Sequence, residues 1–371
     1  MITEVSLEAF KCFEYLPSVN LKRVNLFLGC NGRGKSTFLQ SLLLLAQSID
    51  SEKRLNHLEM NGRFLELGNY DDVQSTLTTA SPTIRFKTDD KEENSIQVKF
   101  TKYPRKEQWG KLLSLIANGK ELMEQVGGAK DNVSAKGDYI LGSTSTLSGL
   151  SQLHNVYYIS ADRMGPVDSI KKNDNLADNI IGIHGENMLN NLFRKDSNFM
   201  QQIIRATSYI LSGASIQVKE EGTDYICLLL DSVNDGKGFR PTNVGFGYSY
   251  VLPIILTCLS AEQNAKIFIE NPEAHLHPGA QSRLMEFIIR IAFENDLQVF
   301  VETHSDHLIN GLRIAVKNGV ISKDEAHIVF FDRKGNETST ATQIKIDEEG
   351  NLSDYPDGFM DEWGNQMSQL L

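Results

Sequence analysis

The sequence predicts an α/β fold in which a phosphate-binding loop follows an early strand, and three observations carry that expectation. Gly29-Cys30-Asn31-Gly32-Arg33-Gly34-Lys35-Ser36 fits G-x-x-x-x-G-K-[ST] at every fixed position, between the apolar run Val24–Leu28 and helical spacing over Thr37–Gln47. Lys266-Ile267-Phe268-Ile269-Glu270 is an apolar run that ends in a carboxylate. Leu297-Gln298-Val299-Phe300-Val301-Glu302 is another, leading into Thr303-His304-Ser305. Open α/β sheets bind ligands off the carboxyl ends of their strands, which is where these runs place their polar residues.

Composition sets the bounds. The chain has 371 residues, enough for one large α/β domain with insertions or for two ordinary domains. With 40% hydrophobic and 23% charged residues it is globular rather than disordered or fibrous. The longest apolar run, Leu42–Ala46, is too short to span a bilayer, and Met1–Val5 lacks the regions of a signal peptide. Cys12, Cys30, Cys227 and Cys258 lie far apart, without metal-type spacing. A cytoplasmic chain with no membrane partner is expected. The net charge of −11 argues against a general binder of phosphate backbones. Nucleic acid remains possible through a local groove, a dimer or a partner, but charge does not indicate it.

Along the chain, Ile2–Phe10 reads as a strand before Val24–Leu28. Residues 81–150 read as an insertion: Ser95–Phe100 alternates like a strand, Gln108–Val126 has helical periodicity, and Asp131–Ser148 has the composition of a mobile loop. No heptad run is long enough for a coiled-coil arm, and no internal repeat is found. Regular elements resume at Val156–Ile159 and continue to Phe331.

The chemistry of the first motif requires its residue types. Glycines let backbone N–H groups close around phosphates without a Cβ clash, and the following helix points its positive end at the anion. Asn31, Gly32, Gly34, Lys35, Ser36 and Thr37 are the residues expected to hold ATP, with Lys35 bridging the β- and γ-phosphates and Ser36 on Mg²⁺. Glu270 ends an apolar strand as a Walker B carboxylate must, placing an acidic oxygen beside the Mg²⁺ shell, through water. Glu273, His275 and His277 mimic a metal cluster, but Pro272 and Pro278 bracket a tight turn and no distant fourth ligand is evident. His304 stands just past a strand end, placed to reach a γ-phosphate. Ser305, Asp306 and His307 cannot converge as a hydrolase triad, being sequence neighbours.

The order Gly29–Thr37, Ile267–Pro278, Thr303–Ser305 resembles the ABC-like ATPases of the RecF, structural-maintenance-of-chromosomes (SMC) and OLD type. The resemblance implies an α/β P-loop NTPase: an ABC-ATPase-like head with a mixed central sheet and an inserted α+β lobe. It divides the chain into the N-terminal part of the head with Walker A (1–80), the lobe (81–150), the C-terminal part of the head (151–331) and a tail (332–371). Leu7–Phe13 looks like that group's N-terminal strand and aromatic-basic turn near adenine. Asn243–Ser249 falls where the group keeps its signature motif, so Gly247 and Ser249 would contact the γ-phosphate held by the other protomer of a homodimer with composite ATP sites. The plainer alternative is a Gly-rich turn capping the helix from Tyr250. By the same resemblance Gln47 or Gln74 could touch Mg²⁺ and the attacking water. Arg163 could sense phosphate or pair with a carboxylate, the structural role being favoured.

A narrower resemblance is to compact bacterial AAA-type ATPases that carry a C-terminal domain of unknown function. It rests on Glu270–Pro278, Asn243–Pro253, Gly182–Glu186, Leu67–Val73 and Asp354–Phe359, with residues 81–150 unmatched. It implies antiphage defence as the setting, with a separate effector or nuclease protein as partner. The expected function is an ATP-driven dimeric switch that gates that effector. The competing readings are an OLD-like nuclease or a DNA-repair or recombination ATPase acting directly on DNA. About 55 residues follow Val316, with Asp332, Asp347 and Asp354 scattered among them, too few and too dispersed for a metal-dependent nuclease domain.

One position departs from the group. Most of its members follow the Walker B carboxylate with a glutamate that orients or activates the attacking water, whereas here Asn271 follows Glu270. An amide can hydrogen-bond water but cannot take its proton at neutral pH. Glu273 could act instead if the Pro272 turn brings its carboxylate back, or His304 could position the water. Slow hydrolysis is therefore expected.

Overall fold

The computed structural model describes all residues except 92–93, 105, 125–139, 142–147, 177–179, 233–234 and 371. They form two compact units: Met1–Lys22, Gly29–Asn155 and Val329–Gln343 in one, Arg23–Leu28, Val156–Ile328 and Ile344–Leu371 in the other. Among the described residues no helix is long and apolar enough to cross a membrane.

The first unit is built on an antiparallel sheet. Its strands are β1 (Ile2–Phe10) and β2 (Phe13–Asn20), which precede β3 (Val24–Leu28) of the second unit, then β4 (Leu58–Glu59), β5 (Thr83–Thr88), β6 (Ser95–Lys102) and β7 (Trp109–Ala117). They lie in the order β2-β1-β5-β6-β7-β4. In β6, Ile96, Val98 and Phe100 are fully buried while the residues between them are not, the period of two expected of a half-buried strand. Residues of the 81–150 segment thus extend the sheet begun by β1 and β2. Helix α1 (Lys35–Ser48) is buried on most of its surface, with Leu42, Leu43, Leu44 and Leu45 buried completely.

The helical periodicity read over Gln108–Val126 is corrected here: Trp109–Ala117 is strand β7. The register against β6 shifts between Lys99 and Phe100, whose partners are Ser114 and Leu112, so Leu113 is an extra residue. Such a bulge breaks the two-residue alternation. Leu112 and Leu115 are both buried at a spacing of three, which imitates a helix face. The loop expected over Asp131–Ser148 falls almost wholly outside the described residues.

In the second unit, β8 (Val156–Ile159), β9 (Lys266–Glu270) and β10 (Gln298–Glu302) join β3 in a parallel run, β8-β9-β10-β3. These strands are buried on both faces, hence their unbroken apolar character. Phe268 stacks on Phe300 at 4.4 Å between ring centroids, and Phe300 on Phe27 at 6.3 Å, a ladder across the sheet centre. Glu270 and Glu302 are register partners at the carboxyl ends of β9 and β10. Its longer helices are α2 (Ser197–Ile210), α3 (Gly247–Ser260), α4 (Pro278–Glu294), α5 (Asp306–Lys317) and α6 (Glu362–Leu370). Strand β11 (Ala326–Asp332) is divided between the two units.

Candidate nucleotide site

The phosphate loop runs from the end of β3 into α1. Gly29, Gly32 and Gly34 have φ of 133°, 72° and 114°. At Gly29 a Cβ would stand 2.1 Å from the Phe331 carbonyl oxygen, and at Gly34 2.6 Å from the Phe13 ring. Glycine is required at both by backbone angle and by space. Phe13, Phe331 and Phe38 pack together here, with centroids 6.1 and 5.6 Å apart. The ammonium of Lys35 is folded inward, donating to the carbonyls of Gly29 (2.9 Å) and Cys30 (3.1 Å). Asn31 and Gly32 are exposed at the loop tip, and Ser36 and Thr37 lie half-buried in the first turn of α1. That turn has no acidic residue and no side-chain cap. A helix start with these features fits an anion such as a nucleotide phosphate.

The glutamines expected near the water have other work. The Gln47 amide donates to Glu59 O (2.6 Å) and accepts from the N–H groups of Phe64 (3.2 Å) and Leu65 (2.9 Å). It clamps the 59–65 loop. Gln74 donates to Ala80 O at 3.1 Å.

In the second unit the carboxylates gather at the ends of β9 and β10. Glu270 receives the Tyr158 hydroxyl of neighbouring β8 and the Ala161 N–H, the latter at 3.3 Å. Burial raises its pKa above the ordinary carboxylate value; Tyr158, Ala161 and Arg163 pull it back. The Tyr158 hydroxyl is itself pushed far above its usual range, by burial first and by Glu270 second. Arg163 is 3% exposed and donates to the carbonyls of Ser160 (3.1 Å), Glu270 (2.8 Å) and Asn271 (2.5 Å). Burial lowers its pKa to about 10, against the charges of Glu273, Tyr250 and Glu270. It staples the end of the Walker B strand.

Asn271 begins the turn with φ of 44°. Its N–H donates to Glu302 O at 2.8 Å and its carbonyl accepts from Ala274 N–H at 3.1 Å. Its side-chain oxygen is buried without a hydrogen bond among the described residues. The turn brings Glu273 back to β10: its Oε1 accepts the His304 N–H at 2.7 Å, while Oε2 is buried with no hydrogen-bond partner among the described residues. The His304 side chain is exposed. Ser305 caps α5, accepting from the N–H groups of His307 and Leu308 and donating to Gln281 at 2.6 Å. Gln281 in turn donates to Leu276 O at 2.8 Å. His277 caps α4 through Gly279 N–H, and the His275 ring lies 4.4 Å from Tyr250 and 5.5 Å from Phe246. Both histidines thus have structural roles. Sequence reasoning missed Tyr158 and Gln281; a tyrosine in the short apolar run Val156–Ile159 was the signal for the first.

The expected signature residues open α3, again without a side-chain cap. A Cβ on Gly247 would stand 2.8 Å from His275 O, so the helix start rests on the Walker B turn. Ser249 is 5% exposed, its side chain turned inward, whereas Gly245 and Phe246 are exposed. Gly245, Gly247, Tyr248, His275 and Arg283 line an open groove.

Comparison with known proteins agrees with this architecture. A family model described as "AAA domain, putative AbiEii toxin, Type IV TA system" matches residues 24–310, more than half of the chain. A second, for a family of unknown function (DUF3696), matches residues 321–370. No curated protein matches. Among solved structures, an SMC head bound to the C-terminal winged-helix domain of ScpA is 13% identical with a TM-score of 0.56, covering 94% of this chain and 98% of that one. An SMC head with an extended coiled coil, bound to the C-terminal domain of ScpA derived from Pyrococcus furiosus, is 12% identical with a TM-score of 0.53, covering 100% of this chain and 99% of that one. The fold is of the SMC-head, ABC-like type.

Proposed function

Because this chain belongs to the AAA-domain family whose model spans its residues 24–310, we propose that it binds and slowly hydrolyses ATP as a dimeric switch. Asn31, Gly32, Gly34, Lys35, Ser36 and Thr37 hold the triphosphate, the Lys35 ammonium turning from the Gly29 and Cys30 carbonyls to phosphate oxygens. Ser36 and, through water, Glu270 would hold Mg²⁺, which would supply charge neutralisation at the phosphates. Glu273 is the group best suited to take a proton from water: His304 N–H fixes one oxygen and leaves the other buried and unbonded. His304 stands at the γ-phosphate, and Asn271 leaves the usual base position without a carboxylate. The first turn of α3, with Gly247 and Ser249, meets the nucleotide of a second copy through backbone N–H groups, since the Ser249 side chain is buried.

The observation that carries the reading is the run of positive φ at Gly29, Gly32 and Gly34 before a helix start without a cap. The test is nucleotide affinity of Lys35→Ala. We expect a loss of at least two orders of magnitude with the fold retained by circular dichroism; undiminished affinity would refute the phosphate-loop role. We further propose that closing and opening of the dimer gates a separate effector protein, in cytoplasmic antiphage defence. The resemblance to compact defence-associated ATPases supports this, as do the similar SMC heads, which are bound to the partner ScpA.

A further inference from the structure

We propose that the last described helix, α6, is a docking helix for a protein partner that offers an apolar groove bordered by lysine and arginine. The inference stands apart from the nucleotide reading. Helix α6 has nine residues and buries none of them. Isolated helices shorter than roughly 12–15 residues are marginal in water, and in proteins most of their stability comes from packing one face. Gly364, inside the helix, weakens it further. A helix of this kind needs something to cover it. What it presents is ordered: Trp363, Met367 and Leu370 fall at i, i+4 and i+7 on one face, and every other position from 364 to 369 is glycine, serine or an amide. Trp363 is 73% and Leu370 79% exposed. This is the anchor spacing of helix-in-groove recognition, and tryptophan is a residue that dominates interface energetics.

The start of the helix is fixed to its own unit. Phe359, three residues before it, is buried, Tyr355 packs edge-on against Phe359 at 6.2 Å, and Asp361 accepts the Gly358 N–H at 2.8 Å. Charge chooses the occupant. The segment that leads into and forms the helix, residues 354–371, carries Asp354, Asp357, Asp361 and Glu362 and not one lysine or arginine. A second copy of the same acidic segment is a poor match for it, and a basic partner is a good one.

The test places a photo-cross-linking residue at position 363 of the full chain in its native cells and identifies the product. The captured protein is then purified and used as the probe in titrations. We expect a protein other than this chain, binding wild type at least tenfold more tightly than W363A/L370A, and losing affinity about tenfold between low and high salt. Lys35→Ala should bind it as well as wild type in the absence of nucleotide, which separates this result from the nucleotide reading. Both substituted side chains are exposed, so the unfolding temperature of W363A/L370A should be unchanged. Cross-links only between copies of this chain, no cross-link at all, equal binding by W363A/L370A, or binding indifferent to salt would each overturn the proposal.

Discussion

At the scale of single residues the candidate site turns on Asn271 and Glu273. Asn271 holds a left-handed φ of 44°, a conformation that asparagine tolerates and that costs most other L-residues about 1–2 kcal/mol. The backbone therefore accounts for asparagine where the related ATPases resembled by this sequence place a glutamate. We expect Asn271→Gly to hydrolyse ATP within a few-fold of wild type, because it keeps the turn and adds no base. Glu273→Gln should lower turnover by about two to four orders of magnitude, the usual worth of a general base. A phosphate-release assay at saturating ATP decides, and wild-type turnover in Glu273→Gln would dismiss Glu273 as the base. Glu270 makes a separate prediction about stability. Its folded pKa is raised above 4.5 by burial, so the fold favours its neutral form. The stability this gives is present below the ordinary value and lost as pH rises through the raised one. Glu270→Gln should thus unfold at a higher temperature than wild type near neutral pH, with the difference closing as pH falls below 4.5. A thermal melt series over pH reads this directly, and a Glu270→Gln variant less stable than wild type at neutral pH would contradict it.

At the scale of elements, legibility followed the range of the interactions. The phosphate loop was readable because strand, loop and helix start are contiguous, and each fixed residue answers a local demand. The Glu270 and His304 strand ends were readable because buried parallel strands need unbroken apolar runs. Strand β7 was not, because Leu113 bulges out and puts Leu112 and Leu115 on one face at a helical spacing. The place of Gln47 is not legible in the sequence because its amide is fixed by the backbone of a loop 12 to 18 residues away. The Tyr158–Glu270 pair was hidden because parallel pairing joins strands more than a hundred residues apart. The glycines of the loop offer an element-scale prediction. Gly29→Ala meets both a disallowed φ and the Phe331 carbonyl, whereas a Cβ on Gly32 meets open space. Backbone strain alone costs of order 1–3 kcal/mol, so Gly29→Ala should lose at least that much in denaturant unfolding, and Gly32→Ala clearly less. Equal losses would contradict the close approach at Gly29.

At the scale of the whole molecule the account makes ATP the bond between two copies. An isologous pair buries two equivalent sites at once, so a modest preference of ATP for the closed state counts twice. The groove beside α3 provides a clean probe of this. Gly247→Arg would collide with His275 O and Ser249→Arg would force charge into the core, so either could fail by unfolding. Gly245 has no neighbour within 4 Å of its Cβ position and no positive φ, and Gly245→Arg should leave the fold intact while blocking the face. The deciding measurement is sedimentation of the full chain with and without saturating Mg²⁺–ATP, in Glu273→Gln to keep the nucleotide bound. The account predicts a mass that doubles with ATP, and fails to double when Lys35→Ala or Gly245→Arg is added. A mass unchanged by saturating ATP, or a doubling that survives Gly245→Arg, would contradict it.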